Sequence, residues 1–221
     1  MTFDEAMAQL QALGNEKTRA INAKNGVKNQ FGVKMGDLRN LANKIKTDPA
    51  LAAQLWASGN LDAMLLAVLL MKPKDLTVED LDRLVSGVEY PLVADWLGTN
   101  VVKQNRHKEE VRERWMNSDH DITARLGWSL TTERVCKNPE GLNFGAILDR
   151  LETEMAGAPA VVQWTMNFCL GEIGINFPEY RDRAVAIGEK LGIYRDFPCS
   201  KGCTSPFVPT WVAEMVRRNG T

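Results

Sequence analysis

Helical periodicity runs through nearly the whole of this chain, and the alternation that marks a half-buried strand is almost absent. Residues 3–13 place Phe3, Met7, Leu10 and Leu13 on one face. Asp48-Pro49 reads as an N-cap followed by proline at the first helical position, where a missing N–H costs nothing. It opens a helix over 49–57 with Leu51, Leu55 and Trp56 as its apolar stripe, and Ser58-Gly59-Asn60 then turns the chain. The run 61–71 is apolar around most of its circumference, which implies burial among neighbours, and Pro73 stops it. It falls far short of the roughly 20 residues a membrane span needs. Thr77-Val-Glu-Asp80 has the form of a capping box, with aspartate in place of the usual glutamate. The helix it opens carries Leu81, Leu84, Val85 and Val88. Further helices are expected over 90–103, 107–116, 121–136, 142–155, 159–175, 178–191 and 209–218, with a break at Asn138-Pro139-Glu140-Gly141.

Short loops between such helices imply antiparallel neighbours. The pairs 49–71, 77–104, 107–136, 142–175 and 178–218 recur at roughly 30–40 residues, the period of HEAT-type helical solenoids. The expected fold is therefore all-α: a HEAT-like helical-repeat solenoid of antiparallel helix pairs, forming one domain over residues 1–221. A globular bundle without superhelical curvature is the alternative. The stretch 196–209 is rich in Pro, Ser and Gly but contains Phe197 and Phe207, and is read as an ordered connection packed on the last pair.

With 221 residues, 44% hydrophobic and 25% charged, the chain can bury a core without disulfides or a structural metal. Met1-Thr2-Phe3-Asp4-Glu5 has neither the basic nor the apolar region of a signal peptide, so a cytoplasmic location is expected. Cys199-Ser-Lys-Gly-Cys203 lacks a second ligand pair, and His107 and His120 are far apart; no metal site is expected. There is no Gly-x-Gly-x-x-Gly, Walker loop, Gly-x-Ser-x-Gly elbow or His-Glu-x-x-His, so no nucleotide cofactor is expected either.

The net charge of −1 says little, but its distribution says more. Between residues 17 and 46, Lys17, Arg19, Lys24, Lys28, Lys34, Arg39, Lys44 and Lys46 face a single acid, Asp37. Such a stretch is either a phosphate-contacting surface or a solvated helix face. Between 75 and 95, six acids face only Arg83. Asp95 and Arg125 sit in apolar helical surroundings, where a charge must be paired, solvated in a cleft or neutralised. The two could pair with each other, and Glu172 is a third residue of this kind. Trp96, Trp128 and Trp164 are read as core.

Four segments in order resemble the AlkD-like DNA alkylation-repair family of HEAT-like repeat glycosylases. Phe31-Gly-Val-Lys-Met-Gly-Asp-Leu-Arg39 is similar to its opening aromatic-Gly-Val motif. Leu92-Val-Ala-Asp-Trp-Leu97 is similar to its Trp-x-x-x-Asp element, Ala124-Arg125 to its Ala-Arg or Arg-Arg element, and Phe168-Cys-Leu-Gly-Glu-Ile-Gly174 to its Trp-Ala-Leu-Arg-Glu element. The resemblance implies a basic helical-repeat surface for duplex DNA and, in active members, excision of N3- or N7-alkylated purines. It places Asp95 at the catalytic aspartate and Arg125 at a phosphate-contacting arginine, with Lys28, Lys34 and Arg39 as further phosphate contacts. An alkylated purine is already cationic and leaves without a general acid, so a carboxylate that stabilises positive charge on the sugar is the main requirement. The aromatic positions differ. Pro91 stands four residues before Asp95 where active members have tryptophan, with Tyr90 beside it; Phe168 replaces a second tryptophan, and Gly171 replaces an arginine. Tyr90 and Phe168 are the expected aromatic pocket. The protein is expected to act as a monomer without a cofactor. A non-catalytic scaffold that binds DNA structures or a protein partner is the competing reading.

Overall fold

The computed structural model describes residues 1–220, which hold thirteen α-helices and, apart from an isolated bridge between Gly14 and Val33, no strand pairing. The chain gathers into two compact units, Met1–Lys108 and the residues from Glu109 onward. No helix among the described residues is long and apolar enough to cross a membrane.

The first unit holds α1 (Phe3–Ala12), α2 (Glu16–Lys24), α3 (Met35–Ile45), α4 (Pro49–Ala57), α5 (Leu61–Leu70), α6 (Val78–Ser86) and α7 (Pro91–Asn100). Its centre is α5, buried at every residue except Leu69, with α3, α4 and α7 packed around it. The caps read from sequence are present. Asp48 accepts from the Leu51 N–H at 3.0 Å, and Thr77 and Asp80 bond each other's backbone N–H at 3.2 and 3.1 Å. The pattern gave no sign of α2, which buries none of its residues. Polar contacts hold it instead: Asn15 caps the Thr18 N–H, Arg19 donates to the Phe31 carbonyl, and Gln30 donates to the Arg19 carbonyl.

At the start of α5 the Asp62 carboxylate, 1% exposed, accepts three successive backbone N–H groups. They come from Phe31 at 2.6 Å, Gly32 at 3.0 Å and Val33 at 2.9 Å. This fixes the segment that leads into α3. Gly32 is required there twice over: its φ is +79°, and a Cβ would lie 2.7 Å from the Arg19 nitrogen and 2.8 Å from the Asn15 oxygen.

The second unit holds α8 (Lys108–Trp115), α9 (Asp121–Lys137), α10 (Phe144–Glu154), α11 (Ala160–Asn176), α12 (Pro178–Leu191) and α13 (Val208–Asn219). α11 packs against α9, α12 and α13, and its Met166, Leu170 and Ile173 join Trp128, Leu148 and Leu151 in the core. Buried Arg112 ties α8 to α9. It bonds Glu109 at 2.7 Å and Thr131 at 3.4 Å, and the bond from Arg112 holds the Glu109 carboxyl below its ordinary value. α13 lies on glycines of α11: a Cβ at Gly171 would come within 2.3 Å of the Trp211 ring, and one at Gly174 within 2.9 Å of Val212. The connection before α13 is ordered as expected. Phe207 is buried, and Asn167 of α11 donates to the Pro206 carbonyl at 2.9 Å.

Helices stand at all five pairs expected from sequence, α4–α5, α6–α7, α8–α9, α10–α11 and α12–α13, and α4–α5, α10–α11 and α12–α13 pack on each other. Asp62→Asn keeps the shape of the side chain but removes the charge and turns an N–H donor toward N–H donors. We expect a loss of about 2–4 kcal/mol, or about 4–16 °C in the thermal midpoint at 2–4 °C per kcal/mol. Circular dichroism melts check it; a midpoint equal to the native one would refute the role given to this carboxylate.

Candidate functional site

Proline at the first position of α7 fixes the entry of that helix, with half-buried Tyr90 as its N-cap residue. Five residues on from Tyr90, Asp95 is solvent-exposed rather than enclosed in the core. Trp96 was expected in the core. It is only half-buried, because its Nε1 donates to the Leu65 carbonyl at 3.0 Å while one ring face takes the Arg39 guanidinium, 4.8 Å from the centroid. Arg39 therefore reaches the residue next to Asp95, a geometry worth about 0.5–2 kcal/mol.

Arg39 also lines a hollow of about 460 Å³ with Asn43, Lys46, Thr47, Leu69 and Asn100. Lys46 ends α3 with φ 67° and ψ −164°, a region that side-chain-bearing residues rarely occupy. Lys34 is the N-cap residue of α3 and Lys28 lies in the segment before it; both are exposed.

In the second unit, Arg125 on α9 is 5% exposed and donates from Nη1 to the Val161 carbonyl at 2.6 Å. Three residues along α11 stands Trp164, and Trp164, Phe168 and Gly171 follow at helical spacing on one face. Trp164, also expected in the core, is half-buried at the centre of an aromatic group. Its ring centroid lies 5.0 Å from Phe168, 5.4 Å from Tyr194 and 5.9 Å from Phe197, and Phe168 lies 4.8 Å from Trp211. Trp128 alone of the three tryptophans is enclosed, at 1% exposure. Burial raises the Tyr194 phenol above its ordinary value, and the charge of Arg125 pulls the other way. Burial also pushes the Cys169 thiol up to about 12, which keeps it protonated and unreactive as a nucleophile.

Of the residues singled out in the sequence, the first unit brings Arg39 to the neighbour of Asp95, and the second brings Arg125 and Phe168 to one aromatic group. Tyr90 belongs to the first unit and Phe168 to the second. Sequence reasoning missed Asn43, Asn100, Tyr194, Phe197 and Trp211. The 164/168/171 spacing was the one readable signal for part of that group.

Stacked helix pairs that carry exposed cations, an exposed carboxylate and an aromatic face define a helical-repeat protein, with its polar groups on helix surfaces. The family model described as DNA alkylation repair enzyme matches residues 6–191, and the chain belongs to that family. It is 24% identical over 198 residues to the uncharacterized protein Lin0241 of Listeria innocua, covering 87% of each chain, and equally to Lmo0209 of Listeria monocytogenes. A solved structure described as "a new family of proteins related to the HEAT-like repeat DNA glycosylases with affinity for branched DNA structures" matches with TM-score 0.82 and 25% identity. The match covers 99% of this chain and 95% of that one. The fold is HEAT-like and all-α, as the periodicity implied.

The strained backbone at Lys46 sits on the rim of the cationic hollow, and glycine would relieve it. Lys46→Gly is expected to stabilise the protein by about 1 kcal/mol or more, a rise of about 2–4 °C in the thermal midpoint. A fall in the midpoint would show that the lysine side chain contributes more to the fold than its backbone strain costs.

Proposed function

We propose that this protein binds DNA through backbone charge and shape, with branched structures as its preferred target. The observation that carries the reading is the match over 99% of the chain to a structure described as having affinity for branched DNA. The site supports it. Lys28, Lys34, Arg39 and Lys46 are exposed cations on and around α3, and Asn43 and Asn100 add amide donors suited to phosphate oxygens. In this reading the protein works as a monomer on DNA in the cytoplasm.

The test is a fluorescence anisotropy titration of a four-way junction and a linear duplex of equal length, from 50 to 200 mM salt. Affinity for the junction should exceed that for the duplex and fall steeply with salt. Arg39→Gln and Lys46→Gly should each weaken binding to both and lower the salt slope by about 1. A flat salt response, or no binding at low salt, would sink the proposal and leave the protein-binding scaffold.

Excision of N3- or N7-alkylated purines is the second reading, favoured by one observation: Asp95 is exposed on α7, beside a tryptophan that carries an arginine. Against it stand Pro91 at the first turn of α7 and Trp211 lying on Gly171, where active relatives use a tryptophan and an arginine. Under this reading, native protein releases methylpurine from methylated DNA and Asp95→Asn lowers the rate on the order of 100-fold or more. Release that is absent, or equal in the two proteins, removes Asp95 from catalysis while leaving DNA binding untouched.

A further inference from the structure

The aromatic group of the second unit borders a cavity of about 350 Å³, lined by Trp164, Phe168, Phe197 and Trp211 and by the segment that carries Cys199 and Cys203. Two of these four rings, Phe197 and Trp211, lie beyond residues 6–191, so the family match does not account for the feature. Its size is at the lower end of the range for small-molecule pockets, about 300–1,000 Å³, and suits one flat ring system.

The rings do not close over one another. Trp164 meets Phe168 at an interplanar angle of 47° and Phe197 at 44°, and Phe197 remains 41% exposed at the open edge. A phenylalanine left this exposed beside a ring-lined cavity gains by covering its face with another ring. Charge completes the requirement. Lys201 is exposed in the segment that lines the cup, between the lining residues Ser200 and Cys203, and Tyr194 packs edge-on against Trp164. Stacking faces beside an exposed cation are the features that hold an unpaired nucleotide, its base on the rings and its phosphate near the positive charge.

We infer that this cup holds one unstacked nucleobase of DNA, supplied by the unpaired nucleotides at a branch point. The inference rests on the DNA-binding reading above and names the part of a branched structure that the second unit takes.

The experiment uses the full-length chain with a three-way junction that has two unpaired nucleotides at the branch, one of them 2-aminopurine, and a fully paired duplex as reference. Phe197→Ala removes a ring at the open edge, and Phe197→Trp keeps one; thermal melts confirm that both fold. Native protein should quench the 2-aminopurine emission. Phe197→Ala should bind the junction about tenfold more weakly, match native on the duplex and lose the quenching, and Phe197→Trp should retain both properties. Native protein that binds the junction without quenching, or a Phe197→Ala variant that binds it as tightly as native, overturns this inference alone. Native protein that binds neither DNA overturns the DNA-binding reading with it.

Discussion

The first unit depends on one buried carboxylate. Asp62 opens the most apolar helix of the molecule, yet it is as enclosed as the leucines around it. A charge in that position costs several kcal/mol unless its oxygens are bonded. The chain meets this by bending residues 31–33 so that three consecutive N–H groups point at the acid. The bend needs a positive φ and close backbone approach, which is why glycine stands between Phe31 and Val33. The consequences spread outward. α2 has no fully buried residue, so its place depends on bonds to Phe31 and Gln30. The bend also sets where α3 begins, and with it Lys34, Arg39 and Lys46. An aromatic-Gly-Val motif that looks like a functional signature is thus a structural tie, and the cations downstream of it are the residues proposed to meet DNA.

A comparable constraint shapes the second unit, through the absence of side chains. Gly171 and Gly174 give α11 a bare strip on which α13 lies, with the Trp211 ring pressed where an arginine would otherwise project. One position thereby exchanges a cation for an aromatic ring brought from forty residues further on. In the proposed reading the swap alters what this face recognises: a guanidinium reads phosphate, whereas a ring reads the flat surface of a base.

Repeat architecture was legible because the helices recur at a fixed period and several announce their start, by side-chain caps at Asp48 and Thr77 and by proline at the first position at Pro178. α2 was not legible, since a helix held by polar side chains leaves no apolar period to count. Trp96 and Trp164 were misread for a related reason. Pattern shows that a tryptophan lies on an apolar stripe, but not that the stripe runs to the edge of the packing, where Arg39 covers one ring and Phe197 flanks the other. Asp62 was passed over because an acid in a first helical turn is ordinary, and its three donors lie about thirty residues away. The partners were beyond the reach of local patterning.

The exposure of Asp95 bears most directly on the choice between holding DNA and cutting it. In water a carboxylate 4 Å from a unit positive charge stabilises it by about 1 kcal/mol, and near a protein surface by about 4 kcal/mol. The first figure is a rate factor of about five, against accelerations of a million or more for enzymes generally. The second figure is a factor of about a thousand, so an exposed Asp95 gains catalytic weight as a bound substrate displaces the water around it. In relatives with a tryptophan four residues earlier, an aromatic wall can share that work. Here the position is Pro91, the first residue of α7, which offers no aromatic face. The DNA itself would have to exclude the water, so any excision would be confined to substrates that seat closely on α7. Binding requires no such exclusion, because phosphate contacts from exposed lysines and arginines draw on counterion release at a wet surface. In the proposed reading, the exposed cations on and around α3 hold DNA without the water-free setting that excision by Asp95 would require.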